Sequence, residues 1–146
     1  MRVFLAGIIQ GSLVEATIHD QDWREPIREA LRKHLPAAEV YCHYTRHPHS
    51  IAYDLPDIRA TLDDGIRRAA ACDLLIAYVP SASMGTAIEM YEAARHGAAV
   101  LTISPMGANW VIRVYSDRIF PSVEAMAVFC ADGGLDKLLR QKGKQR

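Results

Sequence analysis

Short apolar runs alternate with longer amphipathic stretches along this chain, and no other feature restricts its fold as much. Val3-Phe4-Leu5-Ala6, Glu39 to Tyr44, Asp73 to Val79 and Ala99 to Ser104 have strand length, and Asp73 to Val79 is apolar enough to be central and covered on both faces. Trp23 to Leu35 sets Ile27, Ala30, Leu31 and His34 at i, i+3, i+4 and i+7, a helical face stopped by Pro36. Asp57 is placed to cap a second helix reaching about Ala71, with Ile58, Leu62 and Ile66 on one face. Thr86 to Arg95 reads as a third helix, terminated by Gly97. Asn109 to Tyr115 is a short amphipathic piece, Arg118-Ile119-Phe120 a short edge strand, and Ser122 the cap of a last helix reaching about Arg140.

Strands that alternate with helices pair in parallel, because each crossover helix must return the chain to the same end of the sheet. The expected fold is α/β: a doubly wound, five-stranded parallel sheet of the flavodoxin-like or Rossmann-like kind, with helices on both faces and ligands beyond the carboxyl ends of the strands. The 146 residues lie close to the ~150 of one domain. Residues 1–140 are expected to form that domain and 141–146 a frayed tail.

Lys and Arg number 17 and Asp and Glu 17, so no net basic field exists to hold a nucleic-acid polymer. The longest apolar passage, Ala69 to Val79, is interrupted by Asp73 and is too short to span a membrane. Met1 to Gly7 lacks the apolar length and cleavage site of a signal peptide. Cys42, Cys72 and Cys130 are odd in number and far apart, with no CxxC pair, which fits a reducing cytoplasm. No cofactor and no metal are expected. His43, His47 and His49 cluster in the aperiodic stretch Thr45 to Pro56 or beside it, but without a readable acidic partner they read as a His-rich surface loop. Tyr41, Tyr44 and Tyr53 flank that stretch, and they suit either a pocket for a flat base or the core.

Three loops leave the carboxyl ends of the expected central strands and should converge: Gly7 to Ser12, Tyr44 to Pro56 and Pro80 to Gly85. Gly7, Ile9 and Gln10 in the first and Ser81, Ser83 and Gly85 in the third are candidate substrate contacts. The first is neither GxGxxG nor GxxxxGK[ST]. The third stands at a helix N-terminus, where free N–H groups and the helix dipole favour an anion, although Ser83 and Thr86 are also ordinary capping residues. Glu89 follows in the first turns of that helix. Clustered acids of a receiver domain are absent from Val3 to Gly7, and no cysteine has an Arg at phosphatase spacing.

Asp73-Leu74-Leu75-Ile76-Ala77-Tyr78-Val79, Ser83-Met84-Gly85-Thr86-Ala87-Ile88-Glu89-Met90 and Ala93-Ala94-Arg95-His96-Gly97 together resemble the nucleoside 2-deoxyribosyltransferase superfamily, including its branch of 2′-deoxynucleoside 5′-monophosphate N-glycosidases. Phe4-Leu5-Ala6-Gly7 is similar to that family's first strand and turn, and Asn109-Trp110-Val111-Ile112 to its N-x-M-I segment. The likeness covers most of Met1 to Phe129, apart from the stretch between Ser12 and Pro56.

The resemblance implies that Glu89 is the nucleophile at the anomeric carbon of a nucleoside or nucleoside 5′-monophosphate, a small-molecule substrate. A carboxylate suits that role, since it can trap an oxocarbenium-like centre as a glycosyl ester while a second acid protonates the departing base. The family's second acid stands eight residues before the strand Asp, which here is Gly65; Asp64 is one position off and Asp63 two. Asp64 is therefore the expected general acid, with a pKa raised by its neighbour Glu89. Ser83 replaces the Asp with which nucleoside transferases hold the sugar 5′-hydroxyl, and so favours a phosphorylated substrate; Asn109 matches the transferases. The likeness further implies a homodimer, or a tetramer of dimers, with Asn109 completing the neighbour's site. Water or a second base would accept the sugar. Transfer between free nucleosides and a non-catalytic nucleotide-binding module are the alternatives.

Overall fold

The structure is a computed structural model that describes residues 1–144. Five strands, β1 (Arg2–Gly7), β2 (Glu39–Cys42), β3 (Leu74–Tyr78), β4 (Ala99–Ile103) and β5 (Arg118–Phe120), form one all-parallel sheet in the order β2-β1-β3-β4-β5. This is the expected doubly wound, flavodoxin-like arrangement. Helices α1 (Arg24–His34), α6 (Val123–Ala131) and α7 (Gly134–Gln141) cover one face; α3 (Leu55–Ala71), α4 (Met84–Arg95) and α5 (Trp110–Tyr115) cover the other. A short α2 (His43–Arg46) follows β2 directly.

Successive strand residues point to opposite faces, so the apolar runs feed two cores at once. Leu5, Leu74, Ile76 and Leu101 pack under Ile27, Leu31, Met126, Leu135 and Leu139. Phe4, Ala6, Leu75, Ala77 and Val100 pack under Ala69, Met90, Ala93 and Ile112. Small residues on that second face let α3 and α4 lie close to the sheet and to each other.

Several boundaries differ from the sequence expectation. Strand β2 stops at Cys42 rather than Tyr44, because His43–Arg46 already coil. The aperiodic stretch that follows holds a turn of 3-10 helix at Ser50–Ala52. Helix α3 is capped by Asp54, whose carboxylate accepts the Asp57 N–H at 3.0 Å, so Asp57 is the capped residue and not the cap. The last helix is two: Gly133, at φ 76°, takes the left-handed conformation that breaks the run between α6 and α7. Gln141 completes α7, and Lys142 and Lys144 pair with Asp117 (2.9 Å) and Asp73 (3.7 Å). Residues 145 and 146 of the expected tail lie outside the described residues. All three cysteines are free and buried. No helix among the described residues is long and apolar enough to cross a membrane.

Ile76 is fully buried in the central strand. Ile76→Ala is expected to destabilise the fold by about 2–5 kcal/mol, while Val128→Ala on the exposed side of α6 costs under about 0.5 kcal/mol. Urea unfolding midpoints at constant slope measure both.

Candidate active site

Between β1 and β3 the chain changes direction: β1 leads through α1 on one face to β2, and β2 leads through α3 on the other face to β3. The loops leaving these two paired strands therefore part, and a crevice opens above Gly7 and Tyr78, which are register partners. A cleft of about 260 Å³ occupies it, lined by Gly7, Ile9, Gln10, Arg24, His43, Thr61, Leu62, Gly65, Ser83, Gly85, Thr86 and Glu89, among others. A second, more apolar hollow of about 280 Å³ shares Ile9, Gln10, His43, Thr61 and Leu62 with it and adds Ser50, Ile51, Tyr53 and Ile58.

Helix α4 presents the cleft with its first turn. Ser83 caps it, accepting the Thr86 N–H at 3.4 Å and sharing a 2.9 Å hydroxyl contact with Thr86. The N–H groups of Met84 and Gly85 have no intrahelical partner, as in any helix start. Glu89 lies farther along the same helix with its carboxyl in the cleft, and it forms no hydrogen bond or ion pair with the described residues. Burial pushes its pKa up to about 8, and Arg24 opposes the shift.

Arg24 enters from the opposite face, at the start of α1, and is 5% exposed. Its guanidinium lies 4.1 Å over the Trp23 ring, which itself stacks on Tyr78 at 4.5 Å. Nε donates to Gln21 Oε1 at 2.9 Å and Nη1 to Cys42 Sγ at 3.3 Å. Gln21 is held in turn by the carbonyls of Ile8 and His19. Burial holds the Arg24 pKa below its ordinary value, against the pull of Cys42 and Glu89. His43, beside it, is pulled down to about 4 by burial and by the charges of His47 and Arg24, so its imidazole is neutral at pH 7. A side chain at Gly7 would collide with the Trp23 indole, and this close approach fixes glycine there.

The structure brings Gly7, Ile9, Gln10, Ser83, Gly85 and Glu89 together as expected. Ser81 is not among the residues lining the cleft. Asp64, expected beside Glu89 with a raised pKa, lies elsewhere: it lines a separate hollow and pairs with Arg68 (2.6 Å) and Arg67 (3.4 Å), and the Arg68 hydrogen bond leads in lowering its pKa. Asp63 is exposed. Gly65 is the α3 residue facing Glu89, and a Cβ there would stand 3.5 Å from Glu89 Oε1. Asn109 caps α5, its Oδ1 accepting from Val111 and Ile112, and shares with Ser83 and Met84 a hollow next to the cleft. Tyr53 joins the apolar hollow, whereas Tyr41 packs on Phe4 and Tyr44 lies near Arg24. His47 contacts the Tyr53 hydroxyl at 3.0 Å, and the described residues contain no group of three or more potential ligands able to hold a metal. Arg24 and Thr61 were not picked out by sequence. An arginine in a first helical turn right after a strand loop is a usable signal for the former.

No family model matches the chain, and no curated protein does. Among solved structures, a 2-deoxyribosyltransferase of Bacillus psychrosaccharolyticus superposes with a TM-score of 0.64 at 13% identity, over 87% of this chain and 90% of that one. A conserved protein from Enterococcus faecalis V583 gives 0.59 at 17% identity, over 90% and 98%. A CMP N-glycosidase of Clostridium botulinum gives 0.53 at 20% identity, over 94% and 98%. At these identities the likeness shows a shared fold.

Glu89 keeps its proton to about pH 8 in the folded protein and loses it near 4.5 when unfolded. Between those values the unfolded state binds fewer protons, so this group's contribution to stability is full below pH 4.5 and is lost as pH rises through 8. Glu89→Gln is therefore expected to match the parent near pH 4.5 and to exceed it by an amount on the order of a few kcal/mol at pH 9. Denaturant titrations at the two pH values measure the difference.

Proposed function

We propose that the protein cleaves the N-glycosidic bond of a nucleoside 5′-monophosphate or nucleoside, passing the sugar through an ester on Glu89 to water or to another base. The observation that carries this reading is an unpartnered, desolvated carboxyl beside a helix N-terminus in the crevice between β1 and β3. A carboxylate partly withdrawn from water and without a hydrogen-bond partner attacks an electron-poor anomeric carbon well, since less water must be stripped from it. Ser83 and the free N–H groups of Met84 and Gly85 suit a 5′-phosphate, and the apolar hollow beyond Ile9 and Leu62 suits a flat base. Deoxyribosyl- and CMP-processing proteins among the structural neighbours support the same chemistry.

Asp64 is left out of this reading, because Arg68 holds it away from the cleft. A non-catalytic nucleotide-binding module is the second reading, favoured by Gly65, which puts no acid next to Glu89. Chromatography of ribo- and deoxyribonucleosides and their 5′-monophosphates after incubation with the protein separates the two. Base release is expected, rising with pH toward about 8 as Glu89 ionises, with Glu89→Gln losing at least about 10³-fold in turnover while still binding nucleotide. Failure of folded protein to release base from every compound would leave the binding module.

The site is further proposed to be shared within a homodimer or a tetramer of dimers. Trp110 is 84% exposed, Met84 80% and Val114 70%, an apolar face beside the hollow that holds Asn109. Mixing inactive Glu89→Gln with inactive Asn109→Asp is expected to restore activity, since hybrid dimers contain one undamaged site. A monomeric mass, or no recovery after verified exchange, would remove the shared site.

A further inference from the structure

Glycine is a poor residue for a helix interior, because it loses more backbone entropy on folding than alanine does. Gly65 nevertheless stands well inside α3, buried, and without a left-handed backbone to account for it. Close packing does not account for it either. A Cβ at Gly7 would collide with the Trp23 ring and one at Gly134 with the Phe129 ring, whereas a Cβ at Gly65 would meet only Glu89 Oε1 within 4 Å, at 3.5 Å, an ordinary contact. The missing side chain therefore leaves room in the cleft directly beside the carboxyl. Thr61, one turn earlier on the same side of α3, also lines the cleft, and its hydroxyl forms no hydrogen bond among the described residues. What belongs in that room follows from the stereochemistry of attack. A carboxylate that displaces the base of a β-nucleoside reaches C1′ from the face opposite the base. In ribose the 2′-hydroxyl stands on that same face, next to the bond being formed; in 2′-deoxyribose it is missing, and in arabinose it lies on the face of the base. The carboxyl oxygen that does not attack is then the nearest acceptor for the 2′-O–H. As positive charge develops on C1′ the hydroxyl becomes a stronger donor, so this contact tightens in the transition state.

We infer that the gap at Gly65 admits the 2′-hydroxyl of the substrate against Glu89 Oε1, and that the substrates are ribonucleosides or ribonucleotides in preference to their 2′-deoxy counterparts. The inference rests on the proposed glycosidic cleavage and deepens it by choosing the sugar. One oxygen of ionised Glu89 forms the bond to C1′ as the glycosidic C1′–N bond breaks, and the bonding pair leaves with the base, which takes up a proton from solvent. Oε1 meanwhile accepts the 2′-O–H, which keeps its proton throughout. A water molecule then opens the ester, its OH going to C1′ and its other proton to solvent, so each turnover consumes one water and restores the carboxylate. Thr61 gives the same side of the sugar a second polar partner. Gly65 makes no polar contact of its own and acts by leaving space.

The test compares kcat/KM for base release from the ribo-, 2′-deoxyribo- and arabinonucleoside 5′-monophosphates of one base, run once with adenine and once with cytosine. In water alone a deoxynucleoside loses its base faster than a ribonucleoside, because the 2′-oxygen withdraws electrons from C1′, so a preference for ribose has to come from the protein. Parent protein is expected to cleave the ribonucleotide at least about 10-fold faster than either counterpart. Gly65→Ala, which favours the helix and should melt no lower than the parent, is expected to reduce the ribo-to-deoxy ratio of kcat/KM at least about 10-fold, because its methyl group takes the place of the hydroxyl. A parent ratio at or below one, an arabinonucleotide cleaved as well as the ribonucleotide, or a ratio that Gly65→Ala leaves unchanged would each overturn the inference while leaving glycosidic cleavage intact. The parent's ranking of the three sugars decides the matter even if the variant does not fold. Release of no base from any compound would instead remove the cleavage reading and this inference with it.

Discussion

Everything functional here depends on β1 pairing directly with β3. The strands lie side by side from Val3–Leu74 to Gly7–Tyr78, yet the chain between them goes out to β2 and back. Right-handed crossovers then oblige α1 and α3 to take opposite faces. The two loops above Gly7 and Tyr78 cannot close over each other, and a crevice is left that backbone sterics alone hold open. Helix α4 starts at one lip and α1 at the other, so a residue early in either helix points into the same space. Glu89 and Arg24 owe their confrontation to topology.

That confrontation is costly, which separates it from the other charges of the molecule. An exposed pair such as Asp64–Arg68 contributes little, because water screens it and both side chains lose freedom. Glu89 and Arg24 are desolvated without the contact that would compensate, and burial moves both pKa values toward the neutral form. Trp23, Cys42 and Gln21 clamp the guanidinium, so it cannot swing across to the carboxyl. A chain selected for stability alone would let the two meet or replace both. Two such groups, perturbed by burial and unpaired with each other in one crevice, mark a candidate functional site.

The sheet was legible in the sequence because five apolar runs, each bounded by Gly, Pro or a capping residue, leave few other ways to bury so much surface. Glu89, Ser83 and the glycine loop were legible for the same reason, being tied to strand ends. The misreadings are errors of helical phase and of long-range contact. Each helical residue rotates the side chain by about 100°, so a shift of one position from Gly65 to Asp64 turns a cleft residue into one that faces Arg68 and the neighbouring hollow. Nothing local to Asp64 reveals this; the phase is set by Ala69 and Gly65 packing inward on α3. Arg24 is harder still, since its burial depends on Trp23 stacking on Tyr78, a contact between residues far apart in the chain.

The segment after β4 shows both limits together. In so short a helix, Ile112 is the buried position, which leaves Trp110, Val111 and Val114 partly or largely in water. This stretch carries more apolar surface than its own sheet covers. Asn109 can be both a helix cap and a contact to another subunit, because the two roles use different atoms. Its Oδ1 accepts the first N–H groups of α5, and its amide Nδ2 makes no hydrogen bond among the described residues. An Asp at 109 would keep the cap, aspartate being as good an N-cap as asparagine, while changing the other group from a donor to an anion. A loss of activity from that single change would thus report on what lies across from Asn109 and not on the folding of α5.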